Sequence, residues 1–397
     1  MTPAWTETLR GFPDWAPLFE GDEARGVERG FGHTLREILQ QPATWLDTAQ
    51  RLASEKERLQ RVFVPVRAGA PVFLTGSGSS LYAGECAALG LQEALGVRVQ
   101  AIPCGLLLTH TVQVLPVRRP FLLISLARSG NSPESRAALD LVLEARPEGH
   151  HLIVTCNAAG QLATCYRSNP AVASLVLDER THDQSLVMTS SFTNLVVAAA
   201  ALGLVAGGAY DVRALAEAAR QGLARHAGEL AQVARSAYAS AVFLGTGALQ
   251  GAAREASLKM LEMSAGRVAT LAESFLGLRH GPMSAVHRDT LVVGFLSPQA
   301  HSRAYELDVL REVARKGLGA RRVLIGNDVP RDLIGPGDVA VEWGASGKLT
   351  ETDTAVLGAV VGQVLAFFRC LELGLHPDAP SPAGIISRVV EAFAIHR

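Results

Sequence analysis

Two runs 170 residues apart carry one pattern, and that repetition limits the possible folds more than any other feature of the chain. PVFLTGSGSS (71–80) and AVFLGTGALQ (241–250) both open on an apolar, strand-like run with Val-Phe-Leu at 72–74 and 242–244, then enter a glycine turn. At the same offset Ala83 meets Ala253, Glu85 meets Glu255, Leu91 meets Leu261 and Gly96 meets Gly266, which reads both times as strand, Gly-rich turn and helix. FLLISL (121–126) then falls on LVVGFL (291–296), and HLIVTCN (151–157) on RRVLIGN (321–327). Short apolar strands alternating with helix-length segments mark βαβ units, whose crossovers force a parallel sheet covered on both faces. The expected fold class is α/β, with two tandem doubly wound parallel-sheet domains made by internal duplication and an N-terminal helical extension.

Length agrees: 397 residues exceed one hydrophobic core, which stops growing near ~250–300 residues, and suffice for two. The expected boundaries are an extension over 1–68, a first copy over 69–210, a helical connector over 211–237, a second copy over 238–375 and a tail over 376–397. Within the extension, 1–40 reads as irregular and 41–63 as an amphipathic helix. The tail opens on turns at Pro377, Pro380 and Pro382 and is expected to become helical after them.

Lys and Arg number 37 against 38 Asp and Glu, a net charge of −1, so no overall field draws the chain to nucleic acid or a membrane surface. Five cysteines with no C-x-x-C spacing suggest neither a disulfide framework nor a zinc site. With no basic-then-apolar leader, the expected location is the reducing cytoplasm. The stretch most like a membrane span is the uncharged run 184–210, but its solidly apolar part, 195–206, falls short of the ~20 residues a bilayer requires and reads as a buried helix.

A duplicated scaffold carries its chemistry where the copies diverge, and here they diverge at the strand ends. The first copy has Gly76-Ser77-Gly78-Ser79-Ser80 after one strand and Arg128-Ser129-Gly130-Asn131-Ser132-Pro133 after another. Glycine lets a ligand approach the backbone, serine adds donors, and Ser132 before Pro133 is suited to cap a helix start. Together the loops suit a phosphate monoester, and each taken alone could be an ordinary capped turn. No lysine follows either loop, so the Walker pattern is absent, and Leu81 stands where a dinucleotide fingerprint needs glycine. The matching loop of the second copy, Ser297-Pro298-Gln299-Ala300-His301, has lost the glycine and most hydroxyls.

The second copy instead has a helix with ionisable residues among apolar ones, Arg254 to Met263. Glu262, at the position of Gln92 in the first copy and between Leu261 and Met263, is a candidate general base whose burial would favour proton uptake. Lys259 is spaced to pair with Glu255 or to meet a ligand. Arg279-His280-Gly281-Pro282 puts a histidine on a loop, where it can shuttle a proton. His280 and His287 are seven apart with no carboxylate cluster, so neither a metal nor another cofactor is expected. His33, His150, His151 and His376 read as surface histidines. Thr181-His182-Asp183 precedes an uncharged helix whose Thr189, Ser190 and Ser191 could face a ligand.

Gly78-Ser79-Ser80, Ser129-Gly130-Asn131-Ser132, Glu262 and Arg279-His280-Gly281-Pro282 together resemble the sugar isomerase (SIS) family, in which two such domains bind phosphosugars. The resemblance covers nearly the whole chain. Through LLISLARSGNSPES (122–135), THDQSLVMTSS (181–191), LQGAAREASLKMLEMSAG (249–266) and PDAPSPAGIISRVV (377–390) it is closest to the tagatose-6-phosphate ketose/aldose isomerase or galactosamine-6-phosphate deaminase branch. It implies two SIS domains in a homodimer with a shared active site and a hexose or hexosamine 6-phosphate as ligand. Gly78, Ser79, Ser80, Ser129, Asn131 and Ser132 would hold the phosphate. Ser77, Arg128, His182, Thr189, Ser190, Lys259 and Arg279 would add substrate contacts. Glu262 would move a proton between C1 and C2, and His280, given by the neighbouring subunit, would assist ring opening. Two departures stand out: no glutaminase domain precedes the first copy, and 376–397 has no lysine where related synthases carry one. The implied activity is conversion of galactosamine 6-phosphate to tagatose 6-phosphate and ammonia. The alternative is a non-catalytic phosphosugar-binding regulatory protein, although residues 1–68 do not resemble a DNA-binding helix-turn-helix.

Overall fold

A computed structural model describes residues 4–115, 119–344, 349–391 and 393–396. The helices are α1 (Glu23–Glu28), α2 (Gly32–Leu39), α3 (Gln41–Leu59), α4 (Val64–Arg67), α5 (Ser79–Leu95), α6 (Cys104–Val114), α7 (Pro133–Ala145), α8 (Gln161–Thr164), α9 (Ser190–Ala201), α10 (Val212–Arg235), α11 (Ala248–Met263), α12 (Phe275–Leu278), α13 (Ala300–Arg315) and α14 (Glu351–Glu372). The strands β1 (Val72–Gly76), β2 (Val99–Pro103), β3 (Phe121–Ala127), β4 (Gly149–Thr155) and β5 (Val172–Val176) form one parallel sheet in the order β2-β1-β3-β4-β5. The strands β6 (Ser240–Leu244), β7 (Ala269–Glu273), β8 (Thr290–Phe295), β9 (Arg321–Ile325) and β10 (Val339–Val341) form a second in the order β10-β9-β8-β6-β7. Read from its other end the second order repeats the first, so the duplication seen in the sequence is one of topology.

The glycine turns correct the register of the match by one residue. Gly78 and Gly247 are the N-caps of α5 and α11 with nearly the same backbone angles, φ 54°, ψ −127° and φ 61°, ψ −128°. Gly76 and Gly245 likewise match, since a Cβ on either would meet the first turn of the following helix at 2.6 and 2.2 Å. Counting from these glycines, Glu262 corresponds to Glu93 and not to Gln92, and Glu255 and Lys259 correspond to Cys86 and Gly90.

The chain divides into two compact units that do not follow the expected boundaries. One gathers 43–183, 190–212 and the described residues from Ile386 onward; the other holds the described residues up to Pro42, 184–189 and the described parts of 213–385. In the first-sheet unit the central strands β1 and β3 are buried on both faces, as parallel strands under helices must be, while the edge strand β2 is partly exposed. α9, buried along its length, packs on α5 and binds α3 through polar contacts: Trp45 Nε1 donates to Thr193 Oγ1 at 2.9 Å, Thr48 Oγ1 to Asn194 Oδ1 at 2.7 Å and Asn194 Nδ2 to Thr44 Oγ1 at 2.8 Å. His151 does not lie on the surface. It is buried in β4 edge-on to Phe121, where burial first and His150 second push its imidazolium down to about 4. At the free edge of β5, Arg58 and Arg61 donate to the carbonyls of Ser174 and Val172 at 2.6 and 3.1 Å, which blunts an edge that could pair with another strand.

In the second-sheet unit α14 packs along α11, and Gly362 permits the approach, since a Cβ there would lie 2.5 Å from that of Ala256. Among the described residues, α14 is the one helix long and apolar enough to cross a membrane by length and composition, and 89% of its apolar window is buried in the protein. The comparable stretch chosen from the sequence, 184–210, holds only the shorter α9 and a following 3₁₀ turn. Two other expectations change. The described residues before 40 form 3₁₀ turns, α1 and α2, and the described residues after Leu375 form turns and bends without a helix.

Candidate active site

In the order β2-β1-β3 the chain leaves β1 to one side and reaches β3 on the other, so the loops after these two strands open at the switch point where ligands bind in sheets of this kind. Gly76 is required there, since a Cβ would press within 2.6 Å of Ser80 Cβ and 2.7 Å of the Ser80 carbonyl carbon. Ser79 and Ser80 form the first turn of α5, while Ser77 and Gly78 are exposed just before it. After β3, Gly130 takes φ +63° between Ser129 and Asn131, the left-handed region that favours glycine. Asn131 N–H donates to Ser129 Oγ at 3.2 Å, Gln161 N–H donates to Asn131 Oδ1 at 3.0 Å, and Asn157 Nδ2 donates to the Ser129 carbonyl at 2.9 Å. Ser132 is the N-cap of α7 and Pro133 its first residue, as expected. Neither α5 nor α7 begins with a side-chain cap bond, so two positive helix ends face the switch point without an oxygen from their own cap residues.

Arg128 and His182 lie beside these loops. Arg128 donates to the carbonyl of Arg388, whose Nε donates to the Asp183 carbonyl at 2.8 Å. Burial, then the charges of Arg388 and Arg128, push the His182 imidazolium down to about 4, leaving a neutral ring at neutral pH. Asp183 accepts from the Ser191 N–H at 2.9 Å and from its hydroxyl, fixing the start of α9 at the buried Ser190. Thr189 belongs to the second-sheet unit. There its hydroxyl donates to buried Glu37 at 3.4 Å, and Glu37 also takes the N–H groups of Gln184 and Ser185 at 2.5 and 3.2 Å.

On α11, Glu255, Lys259 and Glu262 share one helix face. Lys259 Nζ lies 3.3 Å from Glu255 Oε1 and 2.5 Å from Glu262 Oε2. Glu255 and Lys259 are fully buried, whereas the Glu262 side chain keeps 21% exposure. Burial pushes the Lys259 ammonium down, but the two carboxylates outweigh it and the net direction is up, so the lysine stays charged. The neighbour that governs Glu262 is thus a cation and not an apolar wall. Its Oε2 is buried toward Lys259, which leaves Oε1 as the oxygen able to meet a ligand. His280 is exposed after α12, and the neighbouring Arg279 is turned to Glu312 at 2.9 Å.

The second sheet fills its own switch point with carboxylates. Ala248 N–H, at the start of α11, donates to Glu351 Oε1 at 2.9 Å, and Ser297 Oγ donates to Glu351 Oε2 at 3.2 Å. Ser297 N–H donates to Glu306 Oε2 at 2.8 Å. Burial, reinforced by Glu351, pushes the Glu306 carboxyl up to about 7 against the pull of the Ser297 N–H, the nearby Thr246 hydroxyl and Arg303. Between the ordinary carboxyl range and about pH 7 the folded chain therefore holds a proton that the unfolded chain releases, and stability falls as pH rises through that window. Glu306→Gln cannot make this transition. Its melting temperature should fall less than that of the parent between pH 5 and pH 8, by the equivalent of about 3 kcal/mol at most. Parallel curves for the two proteins in a calorimeter would contradict this.

No family model matches the chain. It is 33% identical over 369 residues to D-galactosamine-6-phosphate deaminase AgaS of Escherichia coli, covering 91% of this chain and 95% of that one. The protein of the same name from Shewanella sp. strain ANA-3 is 32% identical over 368 residues, 91% of each. Among solved structures, tagatose-6-phosphate ketose/aldose isomerase from Escherichia coli matches with a TM-score of 0.83 at 30% identity, over 95% of this chain and 99% of that chain. The chain belongs to the AgaS branch of the SIS family. It is an enzyme of the phosphosugar isomerase and deaminase class, and its two parallel sheets are SIS domains.

Glu37 and Arg388 were not singled out from the sequence, and the partners of Asp183 were not visible there. Glu37, Asp183 and Arg388 work through partners far along the chain: Glu37 and Gln184 are 147 residues apart, Arg388 and Asp183 are 205 apart. The available hints were the polar group Thr181-His182-Asp183 and the place of Asp183 and Arg388 inside the long runs carrying the family resemblance.

Proposed function

We propose that the chain converts D-galactosamine 6-phosphate and water to tagatose 6-phosphate and ammonia, with Glu262 as the proton-transferring base. The observation that carries this reading is the Glu255–Lys259–Glu262 arrangement, a solvent-accessible carboxylate held by a buried ammonium, in a chain whose other sheet presents uncapped helix starts ringed by serines. The phosphate is held by the Gly78, Ser79 and Ser80 turn and the Ser129, Asn131 and Ser132 loop, with Ser77, Arg128, His182 and Ser190 lining the site. Binding energy from the phosphate end positions C1 and C2 without touching them. Glu262 takes the C2 proton of the open-chain amino aldose, giving an enolamine, and returns a proton to C1, giving the 2-imine. Water adds at C2, the C–N bond breaks, and ammonia leaves with the ketose phosphate behind. His280 of the partner subunit assists ring opening in a homodimer. Lys259 acts by positioning Glu262, and Arg279 by its place beside His280. The five cysteines are free thiols, which supports a reducing, cytoplasmic setting.

The test is ammonia release from galactosamine 6-phosphate by the purified protein. Ser79→Ala and Ser132→Ala should each raise KM by about 10- to 100-fold, the loss of one hydrogen bond to a charged group, with a smaller change in kcat. If no hexosamine 6-phosphate releases ammonia while such compounds still raise the melting temperature, the deaminase reading falls.

A further inference from the structure

Gene duplication should have produced two anion cups, one at each switch point, and both still have the backbone for it. Gly247 repeats the N-cap conformation of Gly78, and Ala248 in the first turn of α11 matches Ser79 in the first turn of α5. What differs is the group facing that turn. In the first copy the helix that packs on α5 begins with Ser190; in the second the helix that packs on α11 begins with Glu351. The Glu351 carboxylate spans two elements, taking the Ala248 N–H at 2.9 Å with one oxygen and the Ser297 hydroxyl at 3.2 Å with the other. Beside it Glu306 is buried, with Oε2 on the Ser297 N–H and Oε1 without a hydrogen-bond partner among the described residues.

We infer that the Glu351 carboxylate is a built-in anion occupying the second cup, so that the second switch point is a latent oxyanion site kept closed by the chain itself. A carboxylate at a helix start meets the same N–H groups and the same positive end that a phosphate or sulfate would. Shortening it leaves an amide and a hydroxyl facing a space about as large as the group removed. A free tetrahedral oxyanion supplies the missing charge and acceptors, and a protonated Glu306 can donate to it without repelling it.

The experiment counts inorganic phosphate bound per chain by equilibrium dialysis, at constant ionic strength near neutral pH, for the parent and Glu351→Ala. The inference rests on the proposed phosphate role of the first cup only for the starting count. One equivalent rising to two supports both readings, and none rising to one supports the latent site while removing phosphate from the first. An unchanged count in folded Glu351→Ala overturns the inference. Should Glu351→Ala fail to fold, Glu351→Gln decides, because it keeps the shape and removes the charge. A melting temperature below that of the parent at pH 8, with no added phosphate equivalent, supports a structural anion; a melting temperature equal to the parent's from pH 5 to pH 8 overturns it.

Discussion

Glu262→Gln should lower kcat for ammonia release by about 10²–10⁴-fold, the usual worth of a positioned general base, with KM nearly unchanged. The amide has the size of the carboxyl it replaces and leaves the Glu255–Lys259 pair intact, so the fold and the phosphate end should survive. The melting temperature checks that, and hydrogen–deuterium exchange at C1 and C2 of the substrate checks the step itself. A variant that still incorporates solvent deuterium at the parent's rate would remove Glu262 from the proton transfer. A large rise in KM at constant kcat would instead assign it to substrate binding.

Lys259→Met should destabilise the second-sheet unit by about 3–5 kcal/mol, because it removes a buried ammonium that lies 3.3 Å from the buried Glu255 carboxylate. Lys259→Met combined with Glu255→Gln should recover much of the loss, a coupling expected of two groups in contact. If the single variant unfolds at the parent's denaturant midpoint, the triad carries no stability. Activity separates the two roles of Lys259: the double variant should fold but turn over slowly, since Glu262 then has no ammonium to hold Oε2.

How much of this was legible in the sequence follows from the range of the interactions. The strands were readable because their apolar runs are local, and the loops because glycine and serine act at one position. Even so, matching Val-Phe-Leu to Val-Phe-Leu misplaced the helix by a residue, since the strands agree at one offset and the glycine turns at another. Only backbone angles and Cβ clearances at Gly76, Gly78, Gly245 and Gly247 separate the two. The Lys259 to Glu255 spacing was visible, but the full burial of that pair was not, because burial is set by tertiary packing that spacing along one helix does not show. The same holds for the closed second cup. The loss of glycine after β8 showed that something had changed there, while the carboxylate that took over arrives from a helix with no sequence link to that loop.

The assignment of segments to the two sheets has a consequence for the history of the molecule. The first-sheet unit draws on residues from 43 onward and on the far C-terminal stretch, and the second claims the opening residues and the short piece 184–189. Scissors applied at either copy's apparent edge would strip α9 of the tryptophan and threonines that hold it or strand Glu37 from its donors on Gln184, Ser185 and Thr189. Since the ancestral doubling, each half has come to include threads of chain that lie outside its own copy of the repeat.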